Sequence, residues 1–169
     1  MTEHVFLTGR KQVGKSTLIR KELERYKKEN GEGKIGGFLT VRTDAVYDGK
    51  YSVHMLRAGT ESDPSEENLL FICGSADSSR PDERFDRMGS RILEESVRNG
   101  AELLVMDELG PNEAGALVFQ EAVLRALDGD IPILGVLQEA DSPFLKKVAA
   151  HPKVRVIRVT EENRDALKL

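Results

Sequence analysis

Apolar residues recur along this chain in two rhythms. Val5-Phe6-Leu7, Leu69 to Cys73, Leu103-Leu104-Val105-Met106, Ile131 to Leu137 and Val154 to Val159 are short, nearly continuous apolar runs, the pattern of strands covered on both faces. Between them the spacing changes to threes and fours. Leu18, Ile19, Leu23 and Tyr26 share one face of a helix expected from about Ser16 to Glu29, which Gly31 ends. Phe85, Met88, Ile92, Leu93 and Val97 predict a second helix, begun by Ser79-Arg80-Pro81-Asp82-Glu83 and stopped at Gly100. A third runs from Ala114 to Leu127, with Leu117, Phe119, Val123, Leu124 and Leu127 turned inward. A short helix from Ser142-Pro143 to Ala149 and a terminal helix begun by Thr160-Glu161-Glu162-Asn163 complete the helical set.

One stretch departs from this alternation. Ile35 to Val41 reads as a strand, and Asp48-Gly49 between Thr43–Tyr47 and the alternating Tyr51–Arg57 signals an antiparallel hairpin. The acidic stretch from Gly59 to Asn68, with Pro64, reads as an exposed loop. The expected fold is therefore α/β, a mostly parallel sheet with helices on both faces and an inserted antiparallel hairpin, in one domain over residues 1–169.

Composition changes this picture little. With 39% hydrophobic and 32% charged residues, the chain is ordinary for a globular protein able to bury a core. A net charge of −4 gives no global footprint for nucleic acid or an anionic membrane. The basic run Arg20, Lys21, Arg25, Lys27 and Lys28 is interleaved with Glu22, Glu24 and Glu29, which makes it a solvated helix face. No apolar run reaches 18 residues, and the first strand starts too near Met1 for a signal peptide. The single cysteine, Cys73, allows no internal disulfide and reads as a small buried hydrophobe. A cytoplasmic protein is expected. His4, His54 and His151 show no metal spacing.

The chemistry is concentrated in two segments. Gly9-Arg10-Lys11-Gln12-Val13-Gly14-Lys15-Ser16-Thr17 has the spacing G-x-x-x-x-G-K-[ST] and lies between a strand and a helix, the context a phosphate-binding P-loop requires. Backbone N–H groups must converge on phosphate oxygens there, and the helix adds unpaired N–H groups and the positive end of its dipole. Lys15 is expected to reach the β- and γ-phosphates, the Ser16 hydroxyl to ligate Mg²⁺, and Thr17 to lie near the α-phosphate. A chance glycine turn before a basic helix is the competing reading.

The second segment is Leu103-Leu104-Val105-Met106-Asp107-Glu108. An acidic pair at the carboxyl end of an apolar strand sits where ligands bind in open α/β sheets. Asp107 is the expected metal-holding carboxylate, and Glu108, pointing differently, the general base for an attacking water. Arg42 is either a charge stabiliser at the phosphates or a surface arginine, and Gln138 either a γ-phosphate sensor or a loop residue. Arg80, Arg84 and Arg87 cluster near one helix start but read as solvated surface.

Asp107-Glu108-Leu109-Gly110-Pro111-Asn112-Glu113, Gly36-Gly37-Phe38-Leu39-Thr40 followed by Arg42, and Asn163-Arg164-Asp165 occur in the order seen in a known family. Together they resemble the thermophile-type, or cancer-related, nucleoside-triphosphatases. That resemblance implies a three-layer, RecA-like P-loop NTPase fold, Mg²⁺ dependence, and hydrolysis of several nucleoside triphosphates to diphosphate and phosphate. It also implies a role for Glu113, either at the substrate or in fixing the loop. Two positions depart from the pattern: the loop is Arg10-Lys11-Gln12 where the family is commonly rich in proline and glycine, and Asn112 stands where methionine is usual.

The expected activity is Mg²⁺-dependent hydrolysis of ATP, GTP or other nucleoside triphosphates, with Lys15 and Glu108 catalytic. The alternatives are a nucleotide or small-molecule kinase and a nucleotide-dependent switch or adaptor. No membrane or nucleic-acid partner is expected, and any protein partner is left open.

Overall fold

In the computed structural model, which describes residues 2–31, 33–47, 49–73 and 81–169, the apolar runs become the central strands of one sheet. Its seven strands are β1 (His4–Thr8), β2 (Ile35–Thr43), β3 (Ser52–Arg57), β4 (Leu69–Ile72), β5 (Leu103–Leu109), β6 (Ile133–Leu137) and β7 (Val154–Arg158). They lie in the order β4-β3-β2-β5-β6-β1-β7. The pairs β2–β5, β5–β6, β6–β1 and β1–β7 are parallel, while β2–β3 and β3–β4 are antiparallel. Strand β6 thus stands between β1, which leads into the phosphate loop, and β5, which ends in the acidic pair.

The helices are α1 (Lys15–Asn30), α2 (Pro81–Arg84), α3 (Ser90–Arg98), α4 (Leu117–Asp128) and α5 (Pro143–Ala149). Alternation along the strands sends successive side chains to opposite faces. Leu7, Val105 and Val136 pack with Leu18, Ile19 and Leu23 of α1 in one cluster. Phe6, Leu104 and Met106 pack with residues of α3, α4 and α5, among them Ile92, Phe119, Val123 and Phe144, in the other. The result is three layers with helices on both faces, as the sequence pattern predicts.

Several local expectations change. The hairpin partner of β3 is the far half of β2 itself, in register from Phe38–Arg57 to Thr43–Ser52. Among the described residues no separate strand covers Thr43–Tyr47, and Asp48 of the expected turn lies outside them. Tyr51 is half exposed, whereas Ser52 and His54 are buried. Polarity marks no outer face here because the buried polar groups satisfy one another: the His54 ring bonds the Ser52 hydroxyl at 2.7 Å and the Asn68 side-chain oxygen at 2.8 Å.

The helical stripe from Phe85 to Val97 is also phased differently. A five-residue π turn, Phe85–Gly89, separates α2 from α3. The wider turn changes the angular phase of the residues beyond it, so that Ser96 is buried and Val97 half exposed. The Ser96 hydroxyl donates to Ile92 O at 2.6 Å and accepts from Gly37 N at 3.0 Å. The Ser79-Arg80 helix start lies outside the described residues. In α4, Phe119, Ala122, Val123 and Leu127 are buried, but Leu117, its first residue, is exposed on the other side. Thr160 and Asn163 do cap one another, with Thr160 N to Asn163 Oδ1 at 2.8 Å and Asn163 N to Thr160 Oγ1 at 3.2 Å, yet the segment continues as turns rather than a terminal helix.

Candidate functional site

The phosphate loop leaves β1 at Thr8 and enters α1 at Lys15. Two glycines make its path possible. Gly9 has φ +142°, and a Cβ there would stand 2.6 Å from Val159 O. Gly14 caps α1 with φ +113°. Both are conformations that side chains rarely adopt. Among the described residues no side chain caps the N-terminus of α1, which leaves its first N–H groups available to an anion. Lys15 folds back over the loop, donating to Gly9 O and, at 3.0 Å, to Arg10 O. Its ammonium is buried, which pulls its pKa down, opposed by the carboxylates of Glu108, Glu139 and Asp107.

The acidic pair arrives from the neighbouring part of the sheet. Ser16 Oγ donates to Asp107 Oδ1 at 3.3 Å, so a hydroxyl of α1 and a carboxylate of β5 converge across β6. Asp107 is 7% exposed. Burial and then the neighbouring Glu108 push its pKa up to about 6, against the pull of the Ser16 hydroxyl, Arg20 and Lys15. Two hard oxygen donors side by side suit a small divalent cation that takes its remaining ligands from phosphate and water. Among the described residues no group of three or more His, Cys, Asp or Glu forms a self-sufficient metal cage. A cation shared with phosphates fits that donor set better than a resident structural metal.

Glu108 is half-buried and faces the same cavity. Gln138, at the end of β6, donates to its Oε1 through Nε2 and to Leu109 O through its backbone N–H at 2.9 Å. Thr40, on β2, holds the peptide between the two acids. Its Oγ1 donates to Asp107 O at 3.2 Å and accepts from Glu108 N at 3.1 Å. Glu113 closes the loop after β5 by accepting from Gly110 N at 2.7 Å. It is buried at 3% exposure, and that burial pushes its pKa up to about 8, with the Gly110 bond opposing and Glu108 adding to the shift. Its bond to Gly110 ties the loop, and it also lines the same cavity as Glu108.

Lys15, Ser16, Thr40, Glu108, Glu113 and Gln138 line one cavity of about 890 Å³ over the carboxyl ends of β1, β5 and β6, while the buried Asp107 is not in its lining and meets it through Ser16. Gly9, Arg10, Lys11, Gln12, Gly14, Lys15, Ser16 and Thr17 form one wall. Val13 does not, being 2% exposed and packed into the core. The opposite wall extends past Glu108 to Arg42, Val53, Phe71 and Phe85. Arg42 stands at that rim, exposed, with its guanidinium 4.1 Å from the centre of the Tyr51 ring. Cys73 is half-buried in the cavity wall rather than sealed in the core. Arg84 bonds Leu70 O at 3.0 Å and does not line the cavity, while Arg87 is exposed away from it. Arg80 lies outside the described residues.

The family model described as NTPase matches residues 4–169. The chain belongs to that family. Its similarity to nucleoside-triphosphatase THEP1 of Thermofilum pendens is 30% identity over 98% of this chain and 91% of that protein. Its fold is similar to the crystal structure of THEP1 from the hyperthermophile Aquifex aeolicus, with a TM-score of 0.68, 22% identity and coverage of 97% and 93% of the two chains. It is also similar to the solution structure of a human cancer-related nucleoside triphosphatase, with a TM-score of 0.65, 25% identity and coverage of 98% and 93%. The expected family and the three-layer fold are both met. Among the described residues no helix is long and apolar enough to cross a membrane.

Sequence reasoning gave no role to Thr40 or Arg164. Thr40 lay inside a recognised segment, but only the pairing of Leu39 with Asp107 shows that its hydroxyl reaches the acidic pair. Arg164 comes from the far end of the chain and donates through Nη1 to Val13 O in the phosphate loop at 3.3 Å.

Proposed function

We propose that this NTPase hydrolyses the β–γ bond of ATP, GTP and other nucleoside triphosphates, with Mg²⁺ as the metal. The observation that carries the reading is that the loop, Ser16 and Glu108 line one cavity, with Asp107 bonded to Ser16. The loop amides and the α1 N-terminus bind the phosphate oxygens, and Lys15, released from the carbonyls of Gly9 and Arg10, neutralises the β- and γ-phosphates. Ser16 and Asp107 would hold Mg²⁺, which when bound neutralises charge on the phosphates. Glu108, oriented by Gln138 and by Thr40 beneath its peptide, takes the proton of the attacking water. Gln138 would then report on the γ-phosphate through Glu108, and Arg42 would be a rim residue.

Residues 1–169 act as one domain in this scheme, since a single sheet runs through the chain. A reducing, cytoplasmic setting fits the one free cysteine. The extension of the cavity past Glu108 toward Val53 and Phe71 favours a second reading, transfer of the phosphoryl group to a bound acceptor.

The test is phosphate release from ATP, GTP, CTP and UTP with and without Mg²⁺, for the native chain and Glu108→Gln, with nucleotide binding measured in both. Release that needs Mg²⁺ and is lost in a variant that still binds supports hydrolysis through Glu108. Tight binding without release from the native chain sinks the hydrolase reading and turns the search to an acceptor.

A further inference from the structure

A second cavity, of about 250 Å³, adjoins the first on the other flank of the phosphate loop, lined by Arg10, Val13 and the segment from Arg158 to Glu162, with Glu161 and Glu162 its carboxylates. Arg10 lines both, so the two spaces meet at the start of the loop. The volume falls below the roughly 300 Å³ at which pockets for whole drug-sized ligands begin, which suits part of a ligand. Its position says which part. On the reading above, the γ-phosphate lies toward Asp107 and Glu108, on the β5 side of β1. A triphosphate laid along the loop from that end brings its α-phosphate and nucleoside toward β7, where the second cavity lies.

The lining has a definite chemistry. Val13 and Val159, each 2% exposed, form an apolar floor. Arg10 crosses from the loop to pair with Glu161 in the segment after β7, and both line the cavity. Arg158 is engaged with Glu139, at 2.5 Å. Among the described residues no asparagine or glutamine lines the space, and the two guanidinium forks that do, those of Arg10 and Arg158, are engaged by Glu161 and Glu139 rather than turned to a base edge.

We propose that the nucleoside of the bound triphosphate occupies this second cavity, with its base stacked on the Arg10 guanidinium held by Glu161 and its ribose hydroxyls toward the carboxylates of Glu161 and Glu162. Every base has a π face, so such a site recognises that a base is present and not which one. This rests on the nucleoside-triphosphatase reading and adds the source of its tolerance for different bases. It also gives a role to Arg10, in the part of the loop that departs from the family's usual glycine and proline.

Direct binding tests it without requiring turnover. Dissociation constants for ATP, GTP, CTP, UTP and inorganic tripolyphosphate would be measured by calorimetry with Mg²⁺ on the native chain, Arg10→Ala, Arg10→Lys and Glu161→Gln. Stacking of a base is worth enough that all four nucleotides should weaken about fivefold or more relative to tripolyphosphate in Arg10→Ala. Arg10→Lys keeps the charge and loses the plane, so the same relative loss should persist there. Glu161→Gln should shift the ratio the same way and less. Equal weakening of nucleotides and tripolyphosphate, no weakening, or a loss confined to one base overturns the proposal. Failure of the native chain to release phosphate while these ratios hold would sink the hydrolase reading alone.

Discussion

Replacing Thr40 with valine removes one hydroxyl while keeping the shape of the side chain. That hydroxyl donates to Asp107 O at 3.2 Å and accepts from Glu108 N at 3.1 Å, so the substitution strips both groups of a partner at the peptide joining the two acids. A buried backbone group left unpaired costs about 1–3 kcal/mol. The pocket is open enough for water to recover part of this, so the combined loss is about 2 kcal/mol, or a melting temperature lower by roughly 4–8 °C for a chain of this size. The larger effect is on geometry. Thr40 lines the cavity, but its hydroxyl is engaged by the peptide joining the two acids, and through it sets where Glu108 points. A shift on the order of 1 Å in a positioned group is enough for about a 100-fold loss in rate. Steady-state phosphate release should therefore show kcat reduced about 10- to 100-fold with KM nearly unchanged, and Thr40→Ser should recover most of it. A general loosening would instead raise KM along with the fall in kcat and would not be rescued by serine. A Thr40→Val protein with native kcat refutes the positioning role.

Two further predictions concern pH. Glu113, raised from 4.5 to about 8 by burial, binds a proton in the folded state that the unfolded chain has already released between those values. Its contribution to stability is therefore complete near pH 4.5 and fades as pH rises to 8, by on the order of 4 kcal/mol. Glu113→Gln, which still offers Gly110 an acceptor, should flatten that decline in thermal melts and melt above the native chain at pH 8; a lower midpoint there contradicts the assignment. His4 has the opposite sign. Its buried ring, with Nε2 2.8 Å from Leu127 O and Nδ1 3.2 Å from Ile133 N, is held neutral, and burial lowers its pKa below 6.5. The unfolded chain takes up more protons, so this part of the stability is present above pH 6.5 and lost below it. In a Glu113→Gln background, which removes the opposing carboxyl, melting midpoints should fall from about pH 7 to about pH 5, and less steeply when His4→Gln is added.

The loop spacing, the apolar run of β5 and the acidic pair at its end are local patterns, and each was legible in the sequence because backbone geometry and strand burial impose them within a few residues. The features that escaped depend on register and distance. Thr40 acquires its partners only because Leu39 lies beside Asp107. The burial of Ser96 in place of Val97 depends on a π turn that periodicity assumes absent. Arg10 and Glu161 are 151 positions apart, and no local rule pairs them. The turns after Thr160 carry a good capping pair, but a cap starts a helix only where a buried face sustains it.

Strand β6 acts as a ruler. Adjacent strands are about 4.8 Å apart, so one strand between β1 and β5 separates their backbones by roughly 9.5 Å. That gap must hold the phosphate end of a substrate, its counter-ion and the water that attacks it, and side chains such as Ser16 and Asp107 bridge the remainder. Gly135 keeps the ruler thin: a Cβ there would stand 2.4 Å from the Phe6 ring and 2.9 Å from Met106 O. Loops around the cavity can diverge to suit different nucleosides while the reacting gap stays the same width, because its width belongs to the sheet.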